Sequence, residues 1–431
     1  VNDQESYDTS PPIIYNLFPR LAGRMDGWIE HSERARSMGF NWIYLNPVTQ
    51  PGFSGSLYAL KDYYRVCPDF LPVSVSSSGI DELKGVLGQF RSLGLQTAVD
   101  LVINHTAIDC PLVSEHPEWY LRDENGEVVH PSAIDPADAR KVTVWGDLAE
   151  IDNATSPDLD GLWDYWTTLV RFYVELGFDG FRCDAAYKVP ALLWRKLADQ
   201  ARELNERATF FAETLGCRLA EVEALAGAGL DYLFNSSKYW NFDAPWALEQ
   251  HQAFGDLAPS VSFPESHDTE RLFAETGGNT AVMRQRYLFA ALFSEAVMMP
   301  IGFEYGFTRK LDVVTTRPKD WEETRVDLSS FVGAVNRVKA ETPIFGCEGH
   351  WRALRAYDQP TVVIEKSDAA ERAFLLINKD WHASQEIDLQ DVRALAPHGS
   401  ELHRISENGL HEHTAVPRRL ELLPAEIAWL V

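Results

Sequence analysis

The chain has 431 residues, 45% hydrophobic and 24% charged, with a formal net charge of −25. That composition supplies a sizeable core and excludes global disorder, and the length suits one large domain with a smaller companion. So acidic a molecule repels phosphate backbones and anionic membranes, which argues against nucleic acid or a membrane as partner; the plainest role of the charge is solubility.

The N-terminal stretch VNDQESYDTSPP lacks a basic region followed by an apolar one, so no leader peptide is expected within it, and no window has the length of an apolar membrane span. A leader cleaved before this numbering begins is compatible with that reading. Five widely spaced cysteines, Cys67, Cys110, Cys183, Cys217 and Cys347, form no CxxC pair. They suit free thiols in a reducing compartment, and the expected location is cytoplasmic.

Short apolar runs then alternate with amphipathic stretches. The runs are IIYNLF (13–18), NWIYLNP (41–47), LQTAVDLVINH (95–105), GFDGFRCD (177–184), ATFFAET (208–214), LDYLFN (230–235), SVSFPESHD (260–268) and EAVMMPIG (295–302). Helical patterns fall at 28–38, 82–94, 162–177 and 189–205. Continuous apolar strands alternating with helices predict a parallel sheet. About eight such units over roughly 340 residues predict a closed (β/α)8 TIM barrel rather than an open doubly wound sheet. No glycine-rich phosphate loop follows the first run, which also counts against a dinucleotide fold.

Residues 106–155 break the alternation with polar, turn-rich sequence (RDENGEV, HPSAIDPADA) and predict a short inserted domain after the third strand. From about residue 345 the period becomes two (TVVIEKS, AFLLINKDW, LELLPAEIAWLV). This predicts a C-terminal antiparallel β-sandwich over 345–431 and leaves 1–105 and 156–344 as the barrel.

In a barrel, chemistry gathers at the carboxyl ends of the strands. The third run ends in Asp100, Asn104 and His105, the fourth in Arg182 and Asp184, the fifth in Glu213, and the seventh in His267 and Asp268. Each residue alone has a plainer reading: Arg-x-Asp as a structural ion pair, a histidine as a core group, a carboxylate as a helix cap. Agreement between four strand ends argues for a site. Carboxylates with an arginine and two histidines suit cleavage of an acetal at a sugar anomeric carbon, where one ionised carboxylate attacks and one protonated carboxyl donates. Arg182, two residues before Asp184, would hold the attacking group ionised. Glu213, leaving the apolar run FFA, suits the acid, whose pKa must be raised. Asp268 would grip sugar hydroxyls, with His105 and His267 hydrogen-bonding the same sugar.

DLVINH (100–105), GFRCD (180–184), AET (212–214) and FPESHD (263–268) resemble, in order, the four motifs of the α-amylase family, family 13 of the glycoside hydrolases. GSLYALKDYY (55–64) is similar to the segment after the family's second strand, and GDLAEID (146–152) to its fifth motif. The resemblance covers essentially the whole chain. It implies Asp184 as nucleophile, Glu213 as acid/base and Asp268 as transition-state stabiliser. Tyr58 would stack on the first sugar, with Arg182, His105, His267 and Asp100 in support. It implies no required cofactor, with calcium as an option through Asn104, although the inserted stretch shows no metal-loop spacing.

Three departures bear on specificity. Ser266 stands where Asn is common, Ala59 where Asp is usual, and Tyr187 and Lys188 where many amylases carry Lys-His. Tyr187 and Lys188 are therefore expected to shape the acceptor side. Trp240 or Phe242, in the aromatic stretch KYWNFDAPW (238–246), is expected to stack on an acceptor sugar; the plainer reading is loop packing. Trp163 and Trp166, at i, i+3, are expected in the core.

The resemblance implies a retaining α-glycosidase acting on α-1,4-glucan or maltooligosaccharides through a β-glycosyl-aspartate. HPEWYLRDENGEV (116–128) resembles the maltosyltransferase branch, so transfer to a sugar or phosphate acceptor is the alternative. That branch tends to lack the pairs kept here as Asn104-His105 and His267-Asp268, which favours hydrolysis. A non-catalytic binding subunit is a third reading, disfavoured because all three carboxylates are present. Oligomeric state is not legible in the sequence.

Overall fold

The alternation of apolar runs becomes a closed parallel barrel in the computed structural model, which describes residues 10–73, 77–135, 138–369 and 371–431. Residues 1–9, where the leader-peptide expectation falls, lie outside them. The barrel strands, first to eighth, are Ile13–Leu17, Trp42–Leu45, Gln96–Leu101, Gly180–Cys183, Thr209–Ala212, Tyr232–Phe234, Ser260–Ser262 and Ala296–Pro300. Each lies within one of the eight apolar runs. The ring closes where Ile13 registers with Val297 and Asn16 with Pro300.

Continuous apolar runs are what a strand covered on both faces requires. Successive side chains point to opposite faces. Ile14, Trp42, Tyr44, Ala98, Phe211, Phe234, Val261 and Met298 form a cluster inside the barrel. Their neighbours Ile13, Tyr15, Ile43, Val99 and Phe210 join the larger core beneath the helices.

Local capping sets the helix boundaries. Helix Leu159–Leu176 starts before its apolar pattern does, because the Asp158 carboxylate accepts from the Gly161 N–H. Helix Thr280–Phe293 starts at Asn279, whose side chain accepts from the Ala281 and Val282 N–H groups. Trp166 is buried and donates from Nε1 to Asn153 Oδ1, while Trp163 is half-buried and donates to the Asn153 carbonyl.

Between the third strand and helix Leu159–Leu176 the chain forms two small antiparallel pairs. His105–Ala107 pairs with Leu148–Glu150, and Ser132–Asp135 pairs with Asp138–Val144.

After helix Ser329–Glu341 comes a six-stranded antiparallel sheet. In spatial order its strands are His350–Ala353, Thr361–Asp368, Glu371–Asn378, Ile427–Leu430, Glu401–Ile405 and His411–Ala415. The second layer of this sandwich is only the ribbon Gln385–Asp388 with Arg419–Leu422, plus helix Gln390–Leu395. Phe374, Leu376 and Leu430 meet Ile387, Val392 and Leu422 between the layers. The opposite face, with Val362, Ile364, Leu375 and Trp429, joins the barrel's outer core.

Two lysines are buried where this sheet meets the base of the barrel. Lys339 Nζ donates to the carbonyls of Ala291, Ser294 and Phe345. Lys366 Nζ donates to those of Leu292, Phe293 and Cys347. Each ammonium thus has three donors on three carbonyls. Burial pushes both lysines down, Lys366 to about 8. The five cysteines are unpaired. Among the described residues no helix is long and apolar enough to cross a membrane.

Candidate active site

Arg182, near the carboxyl end of the fourth strand, registers with Asp100 on the third, so both side chains leave the sheet on the same side. Arg182 Nη1 donates to Asp100 Oδ1 at 2.6 Å and to Asp184 Oδ1 at 3.2 Å. Its Nη2 stands 3.1 Å from Glu213 Oε1 and 3.8 Å from Asp268 Oδ2. One guanidinium therefore touches four carboxylates, delivered by the ends of the third, fourth, fifth and seventh strands.

The four are not equivalent. Asp100 is fully covered, with a side-chain exposure of 0%, against 11% for Asp184, 24% for Glu213 and 47% for Asp268. The covered one is also saturated: beside Arg182 it accepts from the Tyr44 hydroxyl at 2.5 Å and the Tyr58 hydroxyl at 2.7 Å. Asp100 supports; the other three line the cleft and stay partly exposed to it.

Four carboxylates around one buried cation cannot all be ionised without large repulsion. Burial and the neighbouring Glu213 carboxylate push Asp184 well up, and Arg182 pulls it down. The arginine acts in the direction its position suggests, but burial and the second carboxylate outweigh it. A proton kept within the cluster is what a general acid needs.

The loop after the fourth strand ties two of the carboxylates together. Ala185 takes the left-handed conformation, φ 44° and ψ 46°, which costs an alanine on the order of 1 kcal/mol. Its N–H donates to Glu213 Oε2 at 2.8 Å. The residue beside Asp184 thereby fixes Glu213.

Both histidines are neutral. Burial, reinforced by Arg182, pushes His267 down to about 4. Its Nε2 lies 2.7 Å from the Tyr58 oxygen and 3.1 Å from Asp268 Oδ2, while Nδ1 is buried without a partner. The proton therefore belongs on Nε2, where the acceptors are. The Tyr58 ring stacks on this imidazole at 5.6 Å with 6° between the planes. Burial and the Lys188 charge push His105 down to about 4. His105 lines the cleft, and its Nε2 has no protein partner.

Tyr187 and Lys188 line the cleft with Asp184, Glu213 and Asp268. Lys188 Nζ donates to the Ser132 carbonyl at 2.9 Å, linking the Asp184 loop to the inserted hairpin. Ser266 Oγ accepts from the Asp268 N–H at 3.3 Å, so the serine holds the turn before that carboxylate.

Trp240 does not reach the cleft, and its expected role as a sugar platform is corrected here. It is 0% exposed, among Phe242, Phe289, Phe293 and Tyr357. The loop folds back on helix Thr280–Phe293, and Phe242 is buried with it. Two contributors were missed. Tyr44 holds Asp100 and lies under Arg182; its alternate position in NWIYLNP marks it as pointing into the barrel. Trp145 lines the cleft and is 40% exposed; its only local signal is an aromatic immediately before GDLAEID.

Asn104, through which the calcium option would run, borders the cleft on one side and a groove with Glu150, Asp152 and Asn153 on the other. Asn104 Nδ2 lies 3.4 Å from His105 Nδ1, and the Asn104 carbonyl accepts from the Ile151 N–H. It shares the cleft wall with the Lys188 ammonium. Among the described residues, the three converging ligand atoms that could hold a metal belong to His116, Glu118 and Asp158, not to the surroundings of Asn104.

Comparison with known proteins places these features in context. Residues 13–132 match the family described as glycogen debranching enzyme, glucanotransferase domain. The chain is 26% identical over 391 residues to an alpha-1,4-glucan:maltose-1-phosphate maltosyltransferase of Burkholderia pseudomallei, covering 86% of this chain and 34% of that protein. It is 21% identical over 393 residues to a maltogenic alpha-amylase of Bacillus acidopullulyticus, covering 85% and 64%. The chain thus spans about a third of the one relative and under two thirds of the other. Its fold matches the crystal structure of an alpha-amylase from Lactobacillus plantarum with a TM-score of 0.75 at 17% identity, over 97% of this chain and 99% of that one.

Proposed function

The chain belongs to the α-amylase family of glycoside hydrolases and transglycosylases, and from that premise we propose that it cleaves α-1,4-linked glucose oligomers with retention of configuration. The observation that supports this reading is the single Arg182 guanidinium touching Asp184, Glu213 and Asp268, all three of which line the cleft and stay partly exposed to it.

Asp184 attacks the anomeric carbon while Glu213 gives its proton to the departing glycosidic oxygen. The C–O bond to the leaving sugar breaks as the bond to the Asp184 carboxylate forms. Glu213, now a carboxylate, takes a proton from water, which displaces Asp184 from the same face the leaving sugar occupied. Asp268 and the net negative cluster favour the positive charge that develops on the ring. Neutral His105 and His267 offer hydrogen bonds to sugar hydroxyls without adding a cation that would oppose that charge.

A second reading keeps the glycosyl-enzyme and hands the sugar to an acceptor. The Lys188 ammonium in the cleft wall favours it, because a cation near the leaving-group side suits a phosphate. The maltosyltransferase name carried by the Burkholderia relative points the same way. Incubation with maltooligosaccharides of defined length, with and without inorganic phosphate, separates the two by NMR and mass spectrometry. Shorter sugars released as the α-anomer, unaffected by phosphate, support hydrolysis. Longer oligomers or a sugar phosphate support transfer, and β-anomeric products would exclude both.

A further inference from the structure

The chain has 12 histidines, and three of them share one face of the hairpin Glu401–Ile405 with His411–Ala415. His403 registers directly with His413. His411 lies two residues earlier on the same strand, so the period of two puts all three rings on one side. His403 also registers with Trp429 on the next strand. The rings of His403 and His411 both stack on that buried indole, at 5.6 and 5.5 Å.

The indole therefore fixes two imidazoles side by side, and His403 Nδ1 comes within 3.1 Å of His411 Nε2. A zinc ion about 2.0–2.1 Å from each of two nitrogens so spaced would subtend an angle of roughly 100°, near tetrahedral. His413 Nδ1 lies 2.8 Å from Glu401 Oε2, the arrangement in which a carboxylate orients a ligating imidazole. Burial and mutual repulsion push His403 and His411 down from their ordinary values; neutral imidazole is the form that binds metal. From the barrel side, Glu341 and Arg337 of helix Ser329–Glu341 face His411, the first raising its pKa and the second lowering it. No cleft residue is involved, so the cluster has no part in the sugar chemistry.

We propose that this hairpin binds a divalent metal ion of the zinc class through His403 Nδ1 and His411 Nε2, with His413 Nε2 closing in as third ligand. Two nitrogens converge in the structure as it stands; the third arrives by ring movement, because His413 is not within reach of both. The fourth position is left to water or to Glu341. The ion would join the last two strands at one edge of the sheet, beside helix Ser329–Glu341.

The test is calorimetric titration of the full chain with Zn2+ at pH 7.5, after chelator treatment and desalting. One equivalent is expected to bind. His403→Ala and His411→Ala should each weaken it by about tenfold or more, with His413→Ala weakening it less. The thermal midpoint should rise with Zn2+ in the wild type, and binding should fade at pH 5.5 as the imidazoles protonate. The His116, Glu118 and Asp158 group, Cys217, Cys347 and the barrel mouth also offer zinc ligands, so the double variant His403→Ala/His411→Ala decides. Wild-type affinity in that variant overturns the site, as does the absence of saturable binding in the wild type up to about 1 mM. His411→Gln, a change at an exposed position, gives the same readout should the double variant fail to fold.

Discussion

The two ends of the barrel bury charge in opposite ways. At the mouth, one arginine holds four carboxylates, and three of them stay partly exposed to the cleft. At the base, Lys339 and Lys366 are buried as deeply, but each has its three donors on three backbone carbonyls. A buried charge whose hydrogen bonds are complete has nothing left to offer a substrate and serves the joint between domains. A buried charge with unused lone pairs is held at the expense of stability and is available for chemistry.

Removing charge from each end should therefore do opposite things. Asp184→Asn should lower kcat by about four orders of magnitude or more. It should also make the protein more stable at pH 7.5. The folded pKa of Asp184 is raised, so its stabilising contribution is complete at low pH and is lost as pH rises through the folded value. The amide cannot ionise, and the gain in thermal midpoint should vanish in acid. An Asp184→Asn protein less stable than the wild type at neutral pH would break the comparison.

Glu213→Gln should slow natural maltooligosaccharides by about a thousandfold and activated aryl glycosides far less, because good leaving groups do not need the proton. Equal losses would remove Glu213 from the acid role. Arg182→Met should leave the carboxylates without their cation and cost about 3–5 kcal/mol of stability, read by urea unfolding at pH 7.5, with most of the loss recovered in acid. Trp145→Ala should raise KM about three- to tenfold with kcat little changed, whereas Trp240→Phe should lower stability and leave KM alone.

Lys366→Met sharpens the other side. It should leave kcat unchanged. Burial lowers Lys366 from its ordinary 10.5 to about 8 in the folded chain, so between those values the unfolded chain binds more protons and stability rises with pH. The stability difference between wild type and Lys366→Met should accordingly grow from pH 8 to 10.5. A difference independent of pH would mean that the folded lysine titrates as the unfolded one does, with no depression of its pKa by burial.

The mouth was legible in the sequence and the base was not. Each barrel strand is a continuous apolar run, and its last residues are the polar ones that reach the cleft, so Asp100, Arg182, Asp184, Glu213 and Asp268 announce themselves by position. Lys339 and Lys366 carry no such signal: their carbonyl partners are 45–48 and 73–74 residues away along the chain for Ala291, Ser294, Leu292 and Phe293. Trp240 shows the converse error. Its aromatic neighbourhood reads equally as a sugar platform or as core, and only the return of the loop onto helix Thr280–Phe293 decides. The sandwich was legible as period-two sequence, but its thin second layer was not, because the ribbon strands Gln385–Asp388 and Arg419–Leu422 are four residues each.

The closing pair of the barrel sets a schedule. Ile13 registers with Val297, so the first strand waits for the eighth to leave the ribosome. At about 5–20 residues per second that interval is roughly 15–60 s. During it, six further apolar strands are made while the ring lacks its final neighbour. A net charge of −25 keeps such nascent chains apart on a polysome by mutual repulsion, which gives the acidity a use before the barrel closes.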